Sequence, residues 1–331
     1  MRQPQVAPLV AVAIGLIFFV PVAQSARTMV VAALFLAEFL SDGRIAPLTA
    51  LTASPRREML GPDVDQYVSA TLRPRRPLVL VHGFTPAGRD DPRLQAAAML
   101  LARAGFDVAV PTIPGLTRGR LRPEDAEPVA TTIMTVSETS TNLVTVLGVS
   151  VGAGPALLAA ADPRVRDRVA VVVTLGGYAS AHELLRYFLT GEYAFGSARG
   201  RVVHDPEIVR SFIAVNDDVL DEPARRRLAA RDPTLPAALL ANPPPRLRTM
   251  LAALSPERVV DDVRARLVVI HGRADPAIPY TESLRLAAAR PRRTTLTLLG
   301  SIGHVEGVSA SDVVDLVTLW ARLYDLLVVR N

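Results

Sequence analysis

Ser150, Asp275 and His304 lie far apart in the chain, yet their types and order suit one chemistry, nucleophilic attack on an acyl carbonyl. A serine hydroxyl is a weak nucleophile at neutral pH. It needs an imidazole to take its proton and a carboxylate to orient that imidazole. Ser150 stands in VLGVSVGAGP, at the centre of a Gly148-x-Ser150-x-Gly152 pattern. Val144 to Leu147 before it is a short apolar run rich in β-formers, and Pro155 to Ala161 after it is rich in Ala and Leu. The serine therefore falls on a sharp strand-to-helix turn, where the two glycines leave out a Cβ at the tightest points. A glycine-rich turn with an incidental serine is the competing reading, which only the rest of the chain can decide. Asp275 lies in HGRADPAIP and His304 in LLGSIGHVEG, each following an apolar run.

The elements that must bring these residues together are legible as an alternation. Strands are expected at Pro77 to Val81, Asp107 to Val110, Leu143 to Leu147 and Val169 to Leu175. Helices are expected at Leu94 to Ala104 and Pro123 to Val136. From Tyr178 to Asp262 the alternation gives way to helical stretches rich in Arg, Ala and Pro, a length best explained as an inserted helical cap. Strands resume at Leu267 to Ile270 and Thr294 to Leu299, with helices at Thr281 to Ala289 and Ala310 to Leu327. Apolar strands separated by helices imply a mainly parallel sheet with right-handed crossovers. In such a sheet the loops at the carboxyl ends of the strands share one edge, so Ser150, Asp275 and His304 can converge there. Pro155 is an irregularity, because a proline inside a helix removes a hydrogen bond unless the helix begins slightly later.

The chain resembles the α/β-hydrolase superfamily. The resemblance covers about Pro77 to Leu327 and rests on HGF at His82 to Phe84, GVSVG at Gly148 to Gly152, GRADPAIP at Gly272 to Pro279 and GSIGH at Gly300 to His304. It implies a Ser-His-Asp serine hydrolase or esterase, with the cap inserted between strands six and seven. It also implies an oxyanion hole from two backbone amides, which by position belong to Phe84 and Val151, with Thr85 as a fallback to Phe84. Serine at the turn argues against the branches that use aspartate there. Among the other histidines, His82 and His271 precede glycines at strand ends and are expected to be structural hydrogen-bonders, and His182 and His204 fall in the cap. Asp261, Asp262 and Glu282 are rivals to Asp275 but sit on helical stretches. Tyr187, Phe188, Tyr193, Phe195 and Phe212 either form the cap's own core or line an apolar acyl pocket.

The 331 residues are half hydrophobic and contain no cysteine, which excludes disulfides and thiolate chemistry. No lysine occurs either, which excludes a Schiff base and a lysine-ended phosphate loop. With no His-Glu-x-x-His motif and no dinucleotide fingerprint, no metal or organic cofactor is expected. The formal charge of +5 comes from arginines scattered among acids, so a solvated surface rather than nucleic-acid binding is expected.

From Gln3 to Ala26 no residue is charged, and Val6 to Ala23 approaches the roughly 20 apolar residues that span a bilayer as a helix. A membrane anchor is the expectation, with a cleaved signal peptide as the alternative. Thr28 to Leu40, a second apolar run containing Glu38, suits an interfacial helix, packing on the first segment, or a tilted hairpin. If the first segment alone spans, the arginines place the catalytic domain in the cytoplasm; signal cleavage would instead give a secreted or periplasmic protein.

The chain accordingly divides into an N-terminal membrane anchor at 1–45 and a connector with possible edge strands at 46–76. A hydrolase core follows at 77–177 and 263–331, with a helical cap at 178–262. The expected activity is hydrolysis of carboxylic esters through an acyl-enzyme on Ser150, acting on a small acyl substrate of lipophilic character. Thioester, amide or peptide hydrolysis, acyl transfer, perhydrolysis and a non-catalytic scaffold are the alternatives. The oligomeric state is left open.

Overall fold

The computed structural model describes residues 25–70, 76–300 and 313–328. At its centre is an eight-stranded sheet. Its strands are β1 (Arg56–Gly61), β2 (Val64–Val68), β3 (Arg76–Val81), β4 (Phe106–Pro111), β5 (Val144–Val149), β6 (Val169–Leu175), and then β9 (Arg266–Gly272) and β10 (Thr294–Leu299). They lie in the order β1-β2-β4-β3-β5-β6-β9-β10. Pairing is antiparallel at β1–β2 and β2–β4 and parallel everywhere else.

Helices cover both faces: α1 (residues 25–40), α2 (Pro47–Leu51), α3 (Pro92–Arg103), α4 (Ala126–Glu138), α5 (Ala153–Ala161), α11 (Thr281–Ala289) and α12 (Val313–Val328). Because successive strand residues point to opposite faces, β3 sends Val79 and Val81 to one core and Leu78 and Leu80 to the other. The first core contains residues of α4, α5 and α11, and the second contains residues of α1, α3 and α12. Helix α3 shows why these stretches fold locally. Asp91 caps it by accepting from the Arg93 and Leu94 amides, and Pro92 fills the first position, where a missing N–H costs nothing.

Between β6 and β9 the chain leaves the sheet. It forms α6 (Ala181–Thr190), a hairpin of β7 (Glu192–Phe195) and β8 (Ala198–Arg201), and then α7 (Pro206–Val215), α8 (Glu222–Ala229), α9 (Leu235–Ala241) and α10 (Pro245–Ala253). The hairpin is an addition to the all-helical insert expected from sequence. Its four-residue strands alternate exposed and half-buried positions, a pattern too short to stand out from the surrounding helices.

The N-terminal expectations change in two ways. The apolar run at 28–40, read as part of a membrane anchor, forms α1 and packs on the sheet. Ala32 and Phe35 are buried in the same core as Leu78, Leu323 and Leu327, and the Trp320 indole N–H on α12 donates to the Met29 carbonyl at 3.0 Å. Glu38, which had suggested an interface, is buried and holds the Thr49 amide and hydroxyl at the start of α2. The candidate span Val6 to Ala23 lies outside the described residues, and among the described residues no helix is long and apolar enough to cross a membrane. In the connector at 46–76, where possible edge strands are expected, the chain forms the hairpin β1–β2 at the edge of the sheet. Arg57 of that hairpin pairs with buried Asp65 at 2.6 Å.

Candidate active site

The strand-to-helix turn at Ser150 is as tight as its glycines require. Ser150 has φ +54°, a left-handed conformation that costs a non-glycine residue about 1–3 kcal/mol and persists only where the surroundings enforce it. The surroundings are crowded. A Cβ on Gly148 would lie 2.6 Å from Ala153 Cα, and one on Gly152 would lie 2.2 Å from the His82 carbonyl oxygen. A short 3-10 turn, Ser150–Gly152, leads directly into α5. Helix α5 therefore begins ahead of Pro155 rather than after it, and the proline is accommodated in the first turn.

The loop after β3 closes on this turn. A Cβ on Gly83 would stand 3.2 Å from Ser150 Cβ, so the backbone that continues into Phe84 runs beside the serine. Phe84, next after Gly83, is 40% exposed, and Val151, next after Ser150, is buried. His82 fixes that loop. Its Nε2 accepts from the Ile113 amide at 3.0 Å, which puts the ring proton on Nδ1, and Nδ1 donates to the Gly83 carbonyl at 2.7 Å. Burial pushes the His82 pKa down, and the ring stays neutral.

Asp275 lies at the carboxyl end of β9, separated from the Ser150 strand by β6 alone. Its side chain is 2% exposed. Oδ1 accepts from the Ala277 and Ile278 amides at 2.8 and 3.1 Å, which folds residues 275–278 around the carboxylate. Oδ2 is 3.4 Å from His271 Nε2. His271 itself is fully buried, with Nε2 donating to the Ile278 carbonyl and Nδ1 2.7 Å from the Ser283 hydroxyl, so both ring nitrogens are engaged structurally. His204 Nε2 donates to the Tyr187 carbonyl, and His182 contacts Glu183 on the surface of α6. His304 lies outside the described residues. The structure thus places Ser150 and Asp275 at the carboxyl ends of their strands, and the four described histidines have partners other than Ser150.

A family model for the alpha/beta hydrolase family matches residues 78–315. The chain belongs to that family. No curated protein sequence matches it. Among solved structures, this chain is similar to 2,6-dihydroxy-pseudo-oxynicotine hydrolase, with TM-score 0.53, 17% identity, and coverage of 89% of this chain and 78% of the other. It is also similar to the Pyrococcus horikoshii acylaminoacyl peptidase, with TM-score 0.53 and 16% identity over 84% of this chain and 41% of the peptidase. The chain spans about two fifths of the length of the peptidase structures it matches. At these identities the likeness is one of fold.

Within the hydrolase fold the rival acids have other work. Asp261 and Asp262 are exposed. Glu282 is 1% exposed, and its carboxylate accepts from the Ala179 and Ser180 amides while Arg285 approaches at 3.3 Å. It ties the start of the insert to α11. Burial pushes its pKa up, against the pull of these donors.

The insert aromatics pack mostly on one another: Phe188 on Phe212 at 5.0 Å and Tyr187 on Tyr193 at 6.0 Å. Phe188 and Phe212 also line an apolar cavity of ≈ 50 Å³ together with Leu184, Leu185, Met250 and Leu251. One residue that the sequence treated only as an insert aromatic has a second role. The Tyr187 hydroxyl donates to the carbonyl of Pro276, next to Asp275. No spacing rule signals that contact, since 88 residues of intervening chain must fold before the two meet.

Proposed function

We propose that this alpha/beta hydrolase cleaves carboxylic esters through an acyl-enzyme formed at Ser150. The observation that carries the proposal is the enforced turn: a non-glycine residue at φ +54°, between two glycines whose Cβ positions are blocked, with the Gly83 backbone against its side chain. Such a turn holds a serine oxygen clear of its own backbone and beside a second loop that can supply amides.

In the proposed mechanism His304 removes the Ser150 proton as Oγ bonds to the acyl carbon. Asp275 orients the imidazole and stabilises its charged form. The carbonyl oxygen becomes an oxyanion facing the amides of Phe84 and Val151. Donors placed where charge develops matter greatly, loss of one elsewhere having cost about 10²–10³ in rate. The ester C–O bond then breaks and the alcohol leaves with the proton from His304. Water, deprotonated by the same imidazole, attacks the acyl-enzyme and releases the acid and Ser150. The insert between β6 and β9 acts as the cap that selects the acyl group. On the same reading the uncharged stretch at Gln3 to Ala26 anchors the chain to a membrane, a proposal supported by its composition.

Labelling with a fluorophosphonate probe tests the chemistry. Intact protein is expected to be labelled at Ser150, and Ser150→Ala is expected to lose both labelling and hydrolysis of short-chain p-nitrophenyl esters. Equal ester hydrolysis by Ser150→Ala and the parent would defeat the proposal.

A further inference from the structure

The insert and the turn that carries the acid meet at one buried side chain. Tyr187, on α6, is 0% exposed. Its hydroxyl donates to the Pro276 carbonyl at 2.6 Å, across a sequence separation of 89. Pro276 directly follows Asp275, and the next two amides, Ala277 and Ile278, are those that bind the Asp275 carboxylate. The tyrosine therefore grips the outside of a turn whose inside is wrapped around the acid.

Its ring is held from several directions. The His204 imidazole meets it edge-on at 5.0 Å while Nε2 donates to the Tyr187 carbonyl. Tyr193 of β7 also packs edge-on at 6.0 Å, and Tyr193 in turn contacts Tyr280 at the far end of the acid turn. A hydroxyl so constrained fixes the carbonyl it binds. Burial, reinforced by the Asp275 charge, pushes the Tyr187 pKa up to about 12, so the hydroxyl keeps its proton at every pH where a serine hydrolase works.

We propose that Tyr187 is a positioning residue for the catalytic acid, its hydroxyl bond to Pro276 holding Asp275 in place only while the insert is docked on the sheet. This rests on the reading of Ser150, His304 and Asp275 as a triad. Its consequence is that the insert does more than shape a pocket: through this bond it contributes to the geometry of the acid turn.

Tyr187→Phe is the test, because it keeps the ring and its edge contacts and removes only the donor. Tyr178→Phe is the matched control. Tyr178 is also fully buried, and its hydroxyl donates to the Leu254 carbonyl at 3.1 Å, away from the acid turn. Each variant loses one buried hydroxyl-to-carbonyl bond, so their melting temperatures are expected to fall similarly. With a short-chain p-nitrophenyl ester, kcat is expected to fall about tenfold in Tyr187→Phe, a misplacement effect, with KM within about twofold of the parent. Fluorophosphonate labelling is expected to slow in parallel. Tyr178→Phe is expected to keep kcat and the labelling rate. Parent-like kcat and labelling in Tyr187→Phe, or an equal loss in both variants, would overturn the proposal while leaving the triad intact. An unlabelled parent would overturn the triad reading and this inference with it.

Discussion

His82 illustrates how much one side chain's surroundings decide. As sequence it was a histidine before a glycine at a strand end, and its structural reading follows from the two bonds that occupy its ring nitrogens. A buried neutral imidazole makes stability depend on pH. Its folded pKa lies below the ordinary 6.5, so the unfolded chain binds the proton first as pH falls. The contribution is full above pH 6.5 and is lost as pH drops from there towards the depressed value. Thermal melting between pH 7.5 and 5 is expected to show a declining midpoint below 6.5, with a shallower decline in His82→Gln. Equal slopes in the two proteins would refute this role. The placement of Ser150 and Asp275 at strand ends was legible for a different reason: each sits in a short motif whose local spacing marks the end of the strand. Tyr187 and the Glu282 tie were not legible, because both depend on partners about 90 to 100 residues away.

Among elements, the central strands could be read closely because they are buried on both faces and carry unbroken apolar runs. Val169–Leu175 has the bounds its sequence suggests, as do the helix Thr281–Ala289 and the edge strand Thr294–Leu299. The β1–β2 hairpin could not be read this way. Arg56, Arg57, Glu58 and Met59 are exposed, and its second strand earns its place by pairing with β4 rather than by its own pattern.

The insert is held to the core at two ends. Glu282 and Arg285 bind its start and its hairpin, Arg285 lying over the Phe195 ring at 4.9 Å. Arg122, after β4, bonds both Asp218 oxygens at 2.8 and 3.0 Å and also Asn216. Between them the helices α6, α7 and α10 pack around the small apolar cavity. Leu251→Ala would enlarge it, and a buried leucine truncated to alanine costs about 2–5 kcal/mol depending on how far the site collapses. Urea unfolding is expected to show a loss in that range. A loss below about 1 kcal/mol would mean that the insert contributes little to the cooperative unit.

For the molecule as a whole, α1 redraws the boundary between domain and N-terminal segment. Helix α1, α2 and the β1–β2 hairpin contribute Phe35, Leu48 and Tyr67 to the core behind the sheet. A chain shortened to begin at Gln66 loses most of that surface and is expected to aggregate, whereas one beginning at Ser25 is expected to melt like the full chain. The same pair tests the anchor: the full chain should resist carbonate extraction from membranes, and the chain from Ser25 should not. Recovery of the full chain in the supernatant with Met1 intact would contradict an anchor at Val6 to Ala23. The protein contains a single tryptophan, Trp320. Its indole bonds the Met29 carbonyl and stacks at 6.0 Å on Tyr324, so it sits on the seam between α1 and α12. Its fluorescence is thus an unlabelled optical gauge of whether α1 is seated on α12, readable in the same cuvette in which ester turnover is followed.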